Sequence, residues 1–301
     1  MTVFSGFTIS SGDNLYIYTS AYDTRILSGG YVGTRSGGQD TLTQISSGGV
    51  HEVWTGGTTD NTFISNGGYQ ELAGTAVSTF VFSGGHQDVR LSAFASAATI
   101  NGRVQAVYGV TSGTSVLAGG FQAVHSGAVA SGTRIVSGIQ SAFGGGVAAN
   151  TAVSAGGIQE LSQSGVGSGT TISSGGIQNV SSGGGAATTT ISSGGTQVVS
   201  SGGTAGGTQN VSSGGVATST TVSSGGKAFV FSGAQISSLV LNSGGVIDLQ
   251  NLTFSSGGSV AFDGLTGALT VVQGGQPPRS GSPAATRACF STPMPTSTAP
   301  R

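Results

Sequence analysis

The sequence predicts an all-β fold: a parallel β-helix solenoid built from Gly-Gly/Gln/Val repeats of about 19 residues. Three observations carry the prediction. A Gly-Gly unit recurs at a fixed period, two apolar columns keep step with it, and no proline occurs before Pro277. A ladder of stacked strands excludes proline, which lacks the N–H that a neighbouring coil needs.

The repeat is clearest over residues 156–226. Gly175-Gly176-Ile177-Gln178-Asn179-Val180-Ser181-Ser182-Gly183-Gly184 returns 19 residues later, beginning at Gly194. The Thr-rich spacer 185–193 recurs at 216–224, so the unit divides into steps of 8 and 11 residues. Repeats of this size bury their apolar faces only against copies of themselves.

The first column lies three residues before each Gly-Gly and reads Ile26, Ile45, Ile64, Val81, Val116, Ile135, Val153, Ile172, Ile191, Val222, Leu241 and Phe254. Ile9 opens the series, and Ile100 fills one degenerate coil. The second column lies four residues after Gly-Gly: Val53, Leu72, Val89, Val124, Leu161, Val180, Val199, Val211, Val230 and Leu249. Side chains two apart on a strand share a face, so Gln70, Gln87, Gln122, Gln140, Gln159, Gln178, Gln197 and Gln209 point the same way as the second column. Stacked at roughly 4.8 Å, such amides hydrogen-bond along the axis, and we read them as structural. Gly-Gly suits the corners, where positive φ or close approach of turns excludes a Cβ. The expected stack is about 13 coils and on the order of 60 Å long.

Residues 1–275 read as the β-helix domain and 276–301 as a disordered Pro-rich tail. Glycine supplies 57 of 301 residues and charged residues only 6%, yet the periodic Ile and Val argue against a flexible linker. The net charge of −1, without a Lys/Arg cluster, argues against a nucleic-acid partner. No apolar run is long enough for a transmembrane helix.

Candidate chemistry is sparse. A strip three and five residues after Gly-Gly carries Glu52, Trp54, Glu71, Asp88 and Arg90, with Glu160 and Asp248 further along the same outward column. Successive coils bring the first five together, a set suited to sugar stacking and carboxylate hydrogen bonds, or to calcium, although solubilising surface is the plainer reading. His51, His86 and His125 fall at different repeat positions, lack zinc spacing and read as surface residues. Cys289 has no disulfide partner in the chain. No nucleophile, base and orienting group assemble, so the expectation is no catalytic site, no cofactor and no metal.

The repeat Ser-Gly-Gly-x-Gln-x-Val-x-Ser-Gly-Gly-x-Ala-x-x-Thr-x-Ile-Ser resembles the AIDA-type repeat of bacterial autotransporter adhesin passengers, with degenerate copies over most of 12–258. The resemblance implies a right-handed β-helical stalk, extracellular or on a bacterial surface. It would act in adhesion, autoaggregation or biofilm, through glycans or proteins of host or neighbouring cells and through self-association. It also implies O-linked heptose on outward hydroxyls, here Ser181, Thr189, Ser200 and Ser212. The competing readings are a β-helical polysaccharide lyase or glycosidase, which the scarcity of basic residues disfavours, and a purely structural scaffold. The sequence departs from the family pattern in two respects: the N-terminus shows no signal-peptide pattern, and the residues after the repeats are too few for a C-terminal barrel. The expectation is therefore a fragment or another export route. Ala288-Cys289-Phe290 also resembles the start of a bacterial Hint module, whose first Cys is the self-processing nucleophile; eleven following residues leave room only for an inactive remnant.

Overall fold

The computed structural model describes residues 3–181, 183–199, 204–212, 216–218, 220–222, 227–231, 235–237, 240–241, 243–252, 259–263, 268–272 and 286–291. Every regular element among them is a strand, and none is a helix able to cross a membrane. One representative coil runs through Val50–Val53, Thr58–Asp60 and Phe63–Ile64, and the next begins at Tyr69. Pairing between coils is parallel and in register. Val53 lies beside Leu72, Thr59 beside Ala76, and Ile64 beside Val81. Strands of four residues, three in the last two coils, form a 13-stranded sheet, and the other two faces merge into a 24-stranded one. This is the β-solenoid the repeat predicts.

The predicted columns are the core. Ile26, Ile45, Ile64 and Val81 stack in one cluster, and Val116, Ile135, Val153, Ile172 and Ile191 continue it. The second column, from Val53 through Leu72 and Val89 to Val199, forms the opposite wall. Each fully buried aliphatic side chain contributes about 1.5–3 kcal/mol relative to exposure. Short strands that would not survive singly are thereby held. Gly67-Gly68 shows why the corner needs two glycines. Gly67 has φ of 74°, and a Cβ on Gly68 would lie 2.6 Å from the Ile45 carbonyl oxygen of the preceding coil.

The interior also holds a polar spine. From Gln87 to Gln197 each amide nitrogen donates to the Oε1 of the Gln one coil earlier, at 2.6–2.9 Å. Gln105, in the degenerate coil, belongs to this series, and Gln209 bonds to Gln197 at the far end. A second buried column, of threonines, supports the spine. Thr133, Thr151, Thr170 and Thr189 each donate to the Gln eleven residues earlier, at 3.0–3.2 Å. From Gln87 to Gln197 the buried amides thus gain partners that water would otherwise supply.

Several expectations are corrected here. His51 is fully buried, not a surface residue. It occupies the Gln position of its coil, opposite Gln70 and Val32. Gln70 Nε2 lies 3.3 Å from His51 Nδ1, so Nδ1 accepts, and Nε2–H is left to donate to Thr34 Oγ1 at 2.9 Å. Thr189 is 2% exposed, its hydroxyl committed to Gln178, so it is not an outward acceptor for sugar. Asp248 is also buried rather than outward. Val211 belongs with Ile191, and Val230 and Leu249 follow it on that face. The abbreviated unit at 204–211 is too short for a full coil. It fills one face as a continuous strand, and Ala217 takes the next place opposite Gln197. Phe254 and Ser200 lie outside the described residues. Thr286–Ser291, which includes Cys289, pairs antiparallel with Val246–Leu252.

Candidate ligand-binding face

Residues alternating with the buried Gln and Val point outward from the 13-stranded sheet. The register places Glu52 beside Glu71 and Glu71 beside Asp88. The residue after each inward aliphatic continues the stack by backbone hydrogen bonds. Trp54 N donates to Thr34 O at 2.8 Å, Ala73 N to Val53 O at 2.7 Å, and Arg90 N to Leu72 O at 2.8 Å. The five strip residues chosen from the sequence therefore lie on one face at three successive levels.

The carboxylates are held by neighbours that the sequence reading did not select. Tyr31 donates its hydroxyl to Glu52 Oε2 at 2.6 Å. Tyr69 donates to Asp88 Oδ2 at 2.8 Å and, more weakly, to Glu71 Oε2 at 3.3 Å. Arg90 Nε donates to Glu71 Oε1 at 2.9 Å, and His86 Nε2 lies 2.7 Å from Asp88 Oδ1. Tyr69 and His86 stand two residues before Glu71 and Asp88 on the same strands, and Tyr31 takes the equivalent place one coil before Glu52, so strand parity puts all three on this face.

Electrostatics follow from these contacts. Burial, reinforced by the bond to Glu52, pushes the Tyr31 hydroxyl up to about 12. Burial and Asp88 raise Tyr69 as well, so both phenols stay protonated donors. Burial works against ionisation of Asp88, but hydrogen bonds from His86 and Tyr69 and the nearby Arg90 charge prevail and hold it below the usual carboxylate range.

A column of flat side chains borders the carboxylates. The Arg35 guanidinium lies 3.8 Å from the Trp54 ring centre and 4.6 Å from that of Tyr16. Further along, Tyr108 and His125 stack at 4.2 Å, and Phe143 meets His125 edge-on. Ala73 interrupts this column, leaving a concavity of about 200 Å³ lined by Glu52, Val53, Trp54, Glu71 and Ala73. Among the described residues, no three His, Cys, Asp or Glu side chains converge as a metal-holding group.

Of the expected glycosylation positions, Ser181 and Ser212 are partly exposed. On the Thr-rich strand the exposed hydroxyl is Thr188, the neighbour of buried Thr189.

No protein-family model matches the chain, and no curated protein sequence matches it. Among solved structures it is similar to the crystal structure of a TibA fragment hyper-glycosylated by TibC. The identity is 35% and the TM-score 0.61, over 85% of this chain and 96% of the TibA fragment. With that identity and coverage on a shared stack of parallel coils, the chain belongs to the AIDA-type autotransporter adhesin passengers.

Proposed function

We propose that this chain is a non-catalytic, surface-displayed stalk that mediates adhesion of the cell carrying it, to other cells or to copies of itself, as in autoaggregation and biofilm. The observation that carries the reading is a contrast along one axis. Interior columns stay nearly constant from coil to coil, while the outward face changes from the cluster of Glu52, Trp54, Glu71, Asp88 and Arg90 to a single carboxylate, Glu160, and then to neutral residues such as Asn179, Ser181 and Val198. A fold needs the first pattern, and a binding face at one end of a spacer uses the second. The glycosylated TibA fragment supports a further assignment: Ser181, Ser212 and the exposed Thr188 carry O-linked sugar in this chain.

The test is display of the chain on a non-adherent bacterium, with sedimentation and attachment to cultured cells as readouts. Wild-type display increases one or both. The triple variant Glu52→Gln, Glu71→Gln, Trp54→Ala, verified as folded by far-UV circular dichroism, loses attachment. Unchanged attachment by that variant removes the strip from the reading, and no effect of wild-type display removes adhesion itself. The polysaccharide lyase or glycosidase reading retains one favourable observation, the Glu71–Arg90–Asp88 cluster. It predicts cleaved products from acidic glycans, whereas adhesion predicts none.

A further inference from the structure

The gap at Ala73 has the dimensions of one missing ring. In its column Arg35 covers one face of Trp54 at 3.8 Å, and Tyr108 and His125 stack at 4.2 Å. Adjacent levels are thus filled by flat side chains in contact, face to face in these two pairs and edge-on between His125 and Phe143. At Ala73 only a methyl group is present between Trp54 one level below and Arg90 one level above. Those two levels are about 10 Å apart, twice the strand spacing. The second indole face of Trp54 is therefore uncovered toward the gap, in keeping with its 43% exposure.

The polar groups at this gap select among ring-shaped ligands. Glu52 and Glu71 line it, while Arg35 lies behind Trp54 and Arg90 binds Glu71. The two carboxylates that line the gap are matched by two guanidinium groups, and Asp88, one level further on, shares Arg90 and is bonded by Tyr69 and His86, so little net charge is directed into the gap itself. Arg35 already occupies one face of the Trp54 quadrupole, which weakens the attraction of the other face for a second cation. What remains is an apolar platform beside carboxylate acceptors that can receive hydroxyl donors.

We propose that the gap at Ala73 binds a single neutral pyranose ring of a glycan, with its C–H face on Trp54 and its hydroxyls donating to Glu52 and Glu71. The proposal rests on the reading of this face as the adhesive one, and names the ligand class and the level at which it binds.

Trp54 is the only tryptophan in the chain, so its fluorescence, excited beyond the tyrosine band, reports the gap directly. The full chain is titrated with the methyl glycosides of glucose, galactose and mannose, and separately with tetramethylammonium chloride and with methyl glucuronide. A saturable change with at least one neutral glycoside is expected, at least tenfold weaker in Ala73→Tyr, which puts a flat ring in the gap as Tyr108 does two levels on. Ser162→Tyr, in the same column but remote from Trp54, retains wild-type binding. No saturable change with any neutral glycoside overturns the proposal, as does equal binding by Ala73→Tyr or a response confined to the cation or the anion. Attachment of displaying cells separates the two readings. If Trp54→Ala abolishes attachment while no glycoside binds, adhesion stands and the pyranose assignment falls. If Ala73→Tyr loses glycoside binding but attaches normally, the pyranose site stands and the adhesive role of this face falls.

Discussion

Gln140→Met tests whether the amide spine or apolar stacking specifies the interior. Gln140 is fully buried. It donates to Gln122 Oε1 at 2.7 Å, and its own Oε1 accepts from Gln159 Nε2 at 2.9 Å and from Thr151 Oγ1 at 3.1 Å. Methionine fills nearly the same volume without polar atoms, so cavity effects are small. Gln122 keeps a donor, because Thr133 Oγ1 reaches its Oε1 at 3.2 Å. Gln159 and Thr151 each lose an acceptor inside a dry core, at about 1–3 kcal/mol apiece. The better burial of a thioether offsets part of this, leaving a net loss of about 3 kcal/mol. Thr151→Val removes one donor and leaves Gln140 Oε1 bonded to Gln159, so its cost is about 1 kcal/mol. Urea denaturation followed by far-UV circular dichroism measures the totals. Amide hydrogen exchange locates the loss, because a solenoid need not unfold as one unit. Exchange should quicken in the coils of Gln122, Gln140 and Gln159 and stay slow near Gln197. If Gln140→Met costs no more than Thr151→Val, the spine is not a connected network and the reasoning fails.

Two further predictions follow from the same interior. Val180→Asp should cost several kcal/mol, through an unpaired charge placed in the fully buried column, while Ser181→Asp, on the next and partly exposed side chain, should change stability by under about 0.5 kcal/mol; equal urea midpoints for the two variants would contradict the face assignment. The second concerns pH. Burial raises Asp40 from 3.8 to about 6, so its contribution is full below about pH 4 and is lost as pH rises through 6, on the order of 3 kcal/mol. Burial lowers His51 from 6.5 to about 3, so its contribution is full above pH 6.5 and is lost as pH falls toward 3. With Asp40 Oδ2 only 3.7 Å from His51 Nε2, the two slopes oppose each other between pH 4 and 6. Asp40→Asn should therefore show stability rising with pH across that range, and His51→Gln should show it falling. Urea midpoints from pH 3 to 7 that move in the same direction for both variants would defeat this assignment.

The fold was legible because its interior is written column by column. Ile26 to Ile191 and Val53 to Val199 recur at fixed offsets from Gly-Gly, and a parallel register converts each offset into a stack. The errors came from reading residue type in place of column. His51 stands second after Gly-Gly, the Gln position, and that offset alone placed it inside. Thr189 stands eleven after Gln178, the longer step of the repeat, and it bonds to that Gln. The shifted faces of Val211 and Asp248 were less accessible. They depend on how a unit shortened by several residues is absorbed, and either keeping or skipping a face would satisfy the hydrophobic pattern. In the candidate site, the parallel register sets Glu52, Glu71 and Asp88 side by side, as their common offset from Gly-Gly implies, and strand parity puts Tyr31, Tyr69 and His86 on the same face, which residue type alone does not signal.

A stack of identical coils presents an identical surface at every level, so it cannot favour one level over another for a ligand. Discrimination requires levels that differ, and the structural need for repetition acts mainly on inward side chains, where Gln, Thr and aliphatic residues must meet their own kind above and below. Outward positions are released from that demand and can diverge without loss of the fold. Divergence is concentrated from Tyr16 to Phe143, where tyrosine, arginine, tryptophan, histidine and carboxylate are interspersed with small residues such as Ala73, Ala106 and Ala123, and it fades through the regular coils around Asn179. Binding specificity in this chain should therefore map to its degenerate N-terminal coils. The cleanest repeats supply reach, along with a uniform row of partly exposed hydroxyls, and exchanging one regular coil for another should leave ligand choice unchanged while exchanging the coil that carries Ala73 should alter it.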